Sequence, residues 1–206
     1  MLELHALSTG RQSLEKWLNI SLKIHNYVNY LHLREKNWTT HQKLEAIEQL
    51  LKAGVPEKKI IVNNEPMVAE KLHLAGVHFP ERTNIELYKK RDWRLGRSVH
   101  DSITAKEKDT TKDGADYLFF GHVFETESKP GLPARGLVHL KNVVESVSCP
   151  VIAIGGITPK NVASCIATGA AGVAVMSGIY DANDPISKAK AYQRALEKDE
   201  KHEEKL

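Results

Sequence analysis

Short apolar runs alternate with longer amphipathic stretches along the whole chain. Eight runs read as strands, at residues 2–7, 28–35, 59–63, 76–80, 94–99, 116–123, 151–154 and 172–176. Between them the apolar spacing widens to that of a helix. Leu14, Trp17, Leu18 and Leu22 share one face, as do Leu44, Ile47 and Leu51, with Gly54 as a stop signal. Thr158-Pro159 and Asp184-Pro185 each set a capping side chain before a first-turn proline. The stripes behind them are Val162, Cys165 and Ile166, then Ile186, Ala189 and Tyr192. Segments 66–75 and 83–91 predict short helices. Such alternation favours a parallel sheet covered by helices. It runs from end to end without a dinucleotide fingerprint at the first turn. The pattern therefore predicts an α/β chain folded as one compact (β/α)₈ TIM barrel, with an open doubly wound sheet as the alternative.

Length sharpens this. The 206 residues suit a single domain spanning 1–206. A full barrel usually takes about 250 residues, with about 200 at the lower end, so the loops must be short. A mixed-sign charged tail begins at about residue 197 and reads as a frayed helix end or a solvated extension. Lys and Arg number 29 against 26 Asp and Glu, a net charge of +3. That is too mild to argue for a nucleic-acid or acidic-membrane partner. No apolar run approaches the roughly 20 residues of a membrane span. The N-terminus lacks a signal-peptide pattern, and Cys149 and Cys165 read as two buried thiols of a reduced, cytoplasmic protein. The oligomeric state is left open, a homo-oligomer included.

In a barrel of this kind the active site lies at the C-terminal ends of the strands. Strand parity then selects candidates. In Tyr30-Leu31-His32-Leu33-Arg34-Glu35-Lys36 the leucines suit the helix-facing side. His32, Arg34 and Lys36 then face the axis, with two cations near the mouth that suit an anionic ligand. The plain alternative is that Arg34 pairs with a neighbouring carboxylate. Gly155-Gly156 follows the seventh strand, and Ser177-Gly178 ends the eighth. Glycine lets a backbone approach an anion, and these two turns are the common phosphate site of the fold. Either alone could be a tight turn; together they favour phosphate. His122 stands at the mouth of the sixth strand and can exchange a proton near neutral pH. His100 and His78 are rivals among ten histidines. The three come from separate strands without local ligand spacing, which argues against a metal site.

These motifs together resemble the thiamine phosphate synthase superfamily along essentially the whole chain. The matching stretches are Leu33-Arg34-Glu35-Lys36, Ile61-Val62-Asn63-Asn64, Gly76-Val77-His78, Gly96-Arg97-Ser98-Val99-His100, Ala115-Asp116-Tyr117, Phe124-Glu125-Thr126-Glu127-Ser128-Lys129, the run 153–158 and the run 172–177. The resemblance implies a (β/α)₈ barrel that binds thiazole phosphate through its last two turns. Synthases condense a pyrimidine pyrophosphate with thiazole phosphate and hold the pyrophosphate through Mg²⁺. Their third strand typically carries Asn-Asp, where this chain has Asn63-Asn64. Their fourth continues Val-His-Leu-Gly towards a second magnesium Asp, where this chain has Val77-His78-Phe79-Pro80-Glu81. Their sixth ends in Gly-Pro, where this chain has Gly121-His122. A neutral amide in place of a carboxylate weakens a magnesium site.

These departures look like the TenI-type thiazole tautomerases. That resemblance implies an isomerase of thiamine biosynthesis, with neither metal nor cofactor. The substrate would be an alkylidene dihydrothiazole carboxylate phosphate and the product its aromatic carboxythiazole phosphate tautomer. His122 matches the catalytic histidine of Gly-His-Val-Phe-Glu-Thr and is expected to lie across the axis from the phosphate turns. Gly155, Gly156, Ser177 and Gly178 would hold the phosphate. Arg34, Lys36, Ser98, Thr126 and Lys129 would be available to the carboxylate and ring. Two alternatives stand beside this: a synthase with a remodelled metal site, and a non-catalytic regulator that senses thiazole phosphate.

Overall fold

The computed structural model describes residues 1–89, 92–109 and 114–203. Eight strands follow in chain order: β1 (Glu3–Leu7), β2 (Tyr30–Leu33), β3 (Ile60–Asn63), β4 (Gly76–Phe79), β5 (Arg94–Val99), β6 (Tyr117–Gly121), β7 (Val151–Ile154) and β8 (Gly172–Val175). Each pairs in parallel with the next, and β8 returns to β1 to close the barrel. The helices are α1 (Leu14–Ile24), α2 (Thr40–Lys52), α3 (Pro66–Lys71), α4 (Ser102–Lys108), α5 (Gly136–Val144), α6 (Val162–Ile166), α7 (Ser177–Tyr180) and α8 (Pro185–Glu203). The predicted (β/α)₈ barrel is the observed fold. None of the described helices is long and apolar enough to cross a membrane.

Period-two alternation divides the apolar residues into two cores. Leu31, Leu33, Val62, Val77, Leu118 and Phe120 face outward into the helix layer. Leu7, Ile61, Tyr117, Phe119, Ile152 and Ala174 fill the barrel itself. Closure leaves no sheet edge exposed. The helices begin where side chains satisfy their first amides. Ser13 accepts from Lys16 N at 3.2 Å, Thr39 and Gln42 form a capping box, and Asp184 accepts from Ser187 N at 3.0 Å. Cys149 and Cys165 are both buried.

Two local expectations are corrected. Thr158 does not cap a helix, because Asn161 folds its side chain back to accept from Thr158 N at 2.7 Å. That makes a turn of residues 158–161, and α6 starts only at Val162. The helix expected over 83–91 is reduced to a 3₁₀ turn at Glu86–Tyr88, closed by Tyr88 N donating to Ile85 O at 2.8 Å. Asn84 accepts from Glu86 N at 2.9 Å, so its side chain competes with helical pairing. Positions 90 and 91 lie outside the described residues.

The barrel interior also holds His5, His32 and His78, all buried. Burial pushes each below its ordinary value, His78 to about 3. The unfolded chain therefore binds more protons than the folded one below a pH of about 6.5. Stability is fully present above that pH and is lost as pH falls towards the folded values. Each such histidine contributes a slope of up to about 1.4 kcal/mol per pH unit. Urea midpoints should fall steeply between pH 6.5 and 5, before most carboxylates titrate. A flat profile over that interval would contradict the neutral state assigned to these rings.

Candidate active site

The strand ends surround a cavity of about 1260 Å³ at the mouth of the barrel. Arg34, Lys36, Ser98, His122, Thr126, Lys129, Gly155, Gly156, Ser177 and Gly178 all line it. The ten candidates thus come together in one place, although they span 145 positions of sequence from 34 to 178.

The loop after β1 is fixed first. Glu35 is buried and accepts from Gly10 N at 3.0 Å and Gln12 N at 3.2 Å. Arg34 N donates to Ser8 Oγ at 2.7 Å. Glu35 therefore serves the loop and leaves Arg34 to the cavity. Burial pushes the Arg34 guanidinium below its ordinary value. Lys129 is pushed down too, first by burial and then by the charges of Arg135 and Arg34. Crowded cations of this kind favour an anionic ligand.

The last two turns supply the second half of the site. Gly155 and Gly156 adopt φ of +97° and +65°, the left-handed region that suits glycine. A Cβ on Gly156 would lie 2.7 Å from Phe124 Cβ and collide with the Glu125 carbonyl. Ser177 and Gly178 open α7, so their N–H groups precede its first intrahelical bonds.

His122 sits between these groups. It is 6 % exposed. Its Nε2 lies 3.1 Å from the Leu132 carbonyl, which can only accept, so Nε2 carries the proton. Nδ1 then bears the lone pair, and it is buried without a partner among the described residues. The 122–136 segment is pinned by Val123 N to Ile154 O at 3.0 Å, Phe124 N to Gly155 O at 3.0 Å, Arg135 N to His122 O at 3.0 Å and Gly136 N to Val123 O at 2.9 Å. The expected place of His122 across the axis is corrected. β6 and β7 are neighbours, and a Cβ on Gly155 would lie 2.7 Å from His122 Cα. The histidine adjoins the glycine turn after β7.

The rivals are occupied elsewhere. His100 Nδ1 donates to Gly121 O at 2.9 Å. His78 lies within hydrogen-bond reach of Ser98 Oγ at 2.9 Å and Tyr117 OH at 3.2 Å. Among the described residues no three His, Cys, Asp or Glu side chains meet where they could hold a metal ion. Arg135 was not among the sequence candidates. Its Nε donates to Gly121 O at 3.2 Å, and it shares a smaller recess of about 320 Å³ with His122, Lys129, Leu132 and His139. The only sequence signal for it was the pair Gly131 and Gly136 framing a tight loop.

Comparison with known proteins bears on what this site does. The TMP-TENI family profile, described as thiamine monophosphate synthase, matches residues 5–179. A protein of Caldivirga maquilingensis named thiamine-phosphate synthase is 34 % identical over 170 residues, covering 82 % of this chain and 83 % of its own. One from Chloroflexus aurantiacus with the same name is 36 % identical over 171 residues, covering 79 % and 76 %. The solved structure of thiamine phosphate pyrophosphorylase from Pyrococcus furiosus superposes with a TM-score of 0.79 at 28 % identity, covering 96 % of each chain.

Proposed function

Because the chain belongs to the thiamine monophosphate synthase family, we propose that it acts on a thiazole phosphate in thiamine biosynthesis, as a thiazole tautomerase. The observation that carries this reading is His122, which lines a cavity suited to phosphate and whose buried Nδ1 has no partner among the described residues. The substrate is an alkylidene dihydrothiazole carboxylate phosphate. The His122 Nδ1 lone pair takes the proton from the ring carbon that bears the carboxylate. The resulting imidazolium is held by the Leu132 carbonyl at Nε2 and returns a proton from Nδ1 to the exocyclic alkylidene carbon. One proton leaves and one arrives, so the step is an isomerisation, and aromatisation drives it. The glycine turns and α7 amides hold the phosphate. Arg34 and Lys129 face the carboxylate, and Lys36, Ser98 and Thr126 line the remaining wall.

The relatives' names favour a second reading, synthase. That reaction needs Mg²⁺ held by carboxylates at the ends of β3 and β4. There Asn64 offers a neutral amide, and Glu65 is paired with Lys43. Glu81 supplies one carboxylate, its Oε2 buried without a partner among the described residues. Magnesium favours several charged oxygens. One carboxylate beside an amide does not fit the synthase arrangement. Incubation with pyrimidine pyrophosphate, thiazole phosphate and Mg²⁺ should give no coupled product above background. Robust magnesium-dependent coupling would favour the synthase.

A further inference from the structure

The turn after β7 has its carbonyls bound and two of its amides open. The carbonyls of Ile154, Gly155, Gly156, Ile157 and Thr158 each accept a hydrogen bond. In that order the donors are Val123 N at 3.0 Å, Phe124 N at 3.0 Å, Asn161 Nδ2 at 3.1 Å, the Tyr192 hydroxyl at 2.8 Å and Asn161 N at 3.0 Å. The amides of Gly156 and Ile157 have no acceptor among the described residues. A trans peptide points its N–H opposite to its C=O, so a held carbonyl also aims the amide in its plane. Such a turn offers donors, and not lone pairs, to whatever lies against it, which is what an anion needs. Two glycines at positive φ could otherwise let a peptide swing its oxygen into the site.

Four of these bonds come from the turn itself or from the segment after β6. The fifth comes from α8. Tyr192 belongs to the stripe that packs α8 on the barrel, yet it also lines the cavity. The Ile157 carbonyl can only accept, so the phenol donates. Burial pushes that phenol up to about 12, so it keeps its proton at neutral pH. It fixes the peptide next to the open Ile157 amide. The same hydroxyl also backs the second turn. A Cβ on Gly178 would lie 2.6 Å from Tyr192 Oη, so the hydroxyl fills the space that a side chain there would take. One oxygen atom therefore sits against the turns after both β7 and β8. Packing of α8 needs the ring and makes no demand for this oxygen.

We propose that Tyr192 is a positioning residue for the ligand's phosphate: its hydroxyl holds the Ile157 carbonyl, backs Gly178, and so keeps the two turns in one anion-binding arrangement. It acts through the backbone and does not touch the reacting atoms. This role rests on the phosphate reading of the two turns and stands apart from the proton transfer at His122.

Tyr192→Phe tests it, because it removes one oxygen and keeps the ring that packs α8. Thiazole phosphate and its unphosphorylated alcohol are titrated calorimetrically into the full chain, wild type and variant, with a urea midpoint for each protein. The wild type should bind the phosphorylated form more tightly. In Tyr192→Phe that affinity should fall about three- to tenfold, the usual range for one neutral hydrogen bond, and affinity for the alcohol should stay the same. A hydroxyl with a merely structural role would lower the urea midpoint and leave the ratio of the two affinities at the wild-type value. An unchanged ratio, whether both affinities fall equally or neither falls, would overturn the role of Tyr192 and leave the phosphate turns standing. A wild type that binds both ligands alike, or neither, would remove the phosphate reading and this role with it.

Discussion

Replacing His122 with alanine should lower kcat by about 10²- to 10⁴-fold, the usual cost of losing a general acid–base group. Folding and product affinity should stay near those of the unchanged protein. The separation follows from the contacts. The ring supplies Nδ1 to the reaction and Nε2–H to Leu132 O. The backbone and Cβ are what pack against Gly155, and alanine keeps both, so the phosphate turn retains its support. Turnover and product affinity are to be measured together, with circular dichroism to check folding. His100→Ala is the control and should lose less, because His100 Nδ1 is committed to Gly121 O. Nearly full turnover in His122→Ala would refute the assigned proton transfer, and His100 and Lys36 would become the next candidates.

Gly156→Val should act through binding instead. Its φ of +65° is strained for a β-branched residue, and the new Cβ would meet Phe124 and the Glu125 carbonyl. The turn must shift, and its amides leave the phosphate. Hydrogen bonds to a charged group are worth about 1.5–3 kcal/mol each. Losing one raises KM by roughly ten- to a hundredfold, since about 1.4 kcal/mol is a factor of ten. Gly54→Ala is the matched control. It has a similar backbone, with φ of +91°, but nothing lies within 4 Å of the added Cβ. It should cost some stability and leave KM unchanged. If Gly156→Val binds substrate as before, the phosphate is held elsewhere.

Strand positions were the most legible part of the sequence. The strands expected at 94–99 and 151–154 are β5 and β7 to the residue. β7 carries the β-branched Val151, Ile152 and Ile154, and in β5 the apolar Leu95 and Val99 share one face. Helix starts were less legible where Asn84 and Asn161 bend their own side chains onto nearby amides, because that choice depends on the local fold. Parity correctly turned Leu31 and Leu33 outward and His32 inward. It gave no hint of His5, because Glu3-Leu4-His5-Ala6-Leu7 reads equally well as a strand with one face in water. Closure of the barrel sends that polar face inside. The seating of His122 beside Gly155 depends on β6 pairing with β7, and the proton on its Nε2 depends on the Leu132 backbone. Neither strand neighbours nor carbonyl directions are written in side-chain periodicity.

The account turns on one reaction. Freshly made alkylidene dihydrothiazole carboxylate phosphate should be mixed with the protein in the presence of a metal chelator, and the aromatic carboxythiazole phosphate followed with time. The account predicts formation well above the spontaneous rate, proportional to enzyme and insensitive to the chelator. Formation at the spontaneous rate alone, from folded protein that still binds the product, would contradict it.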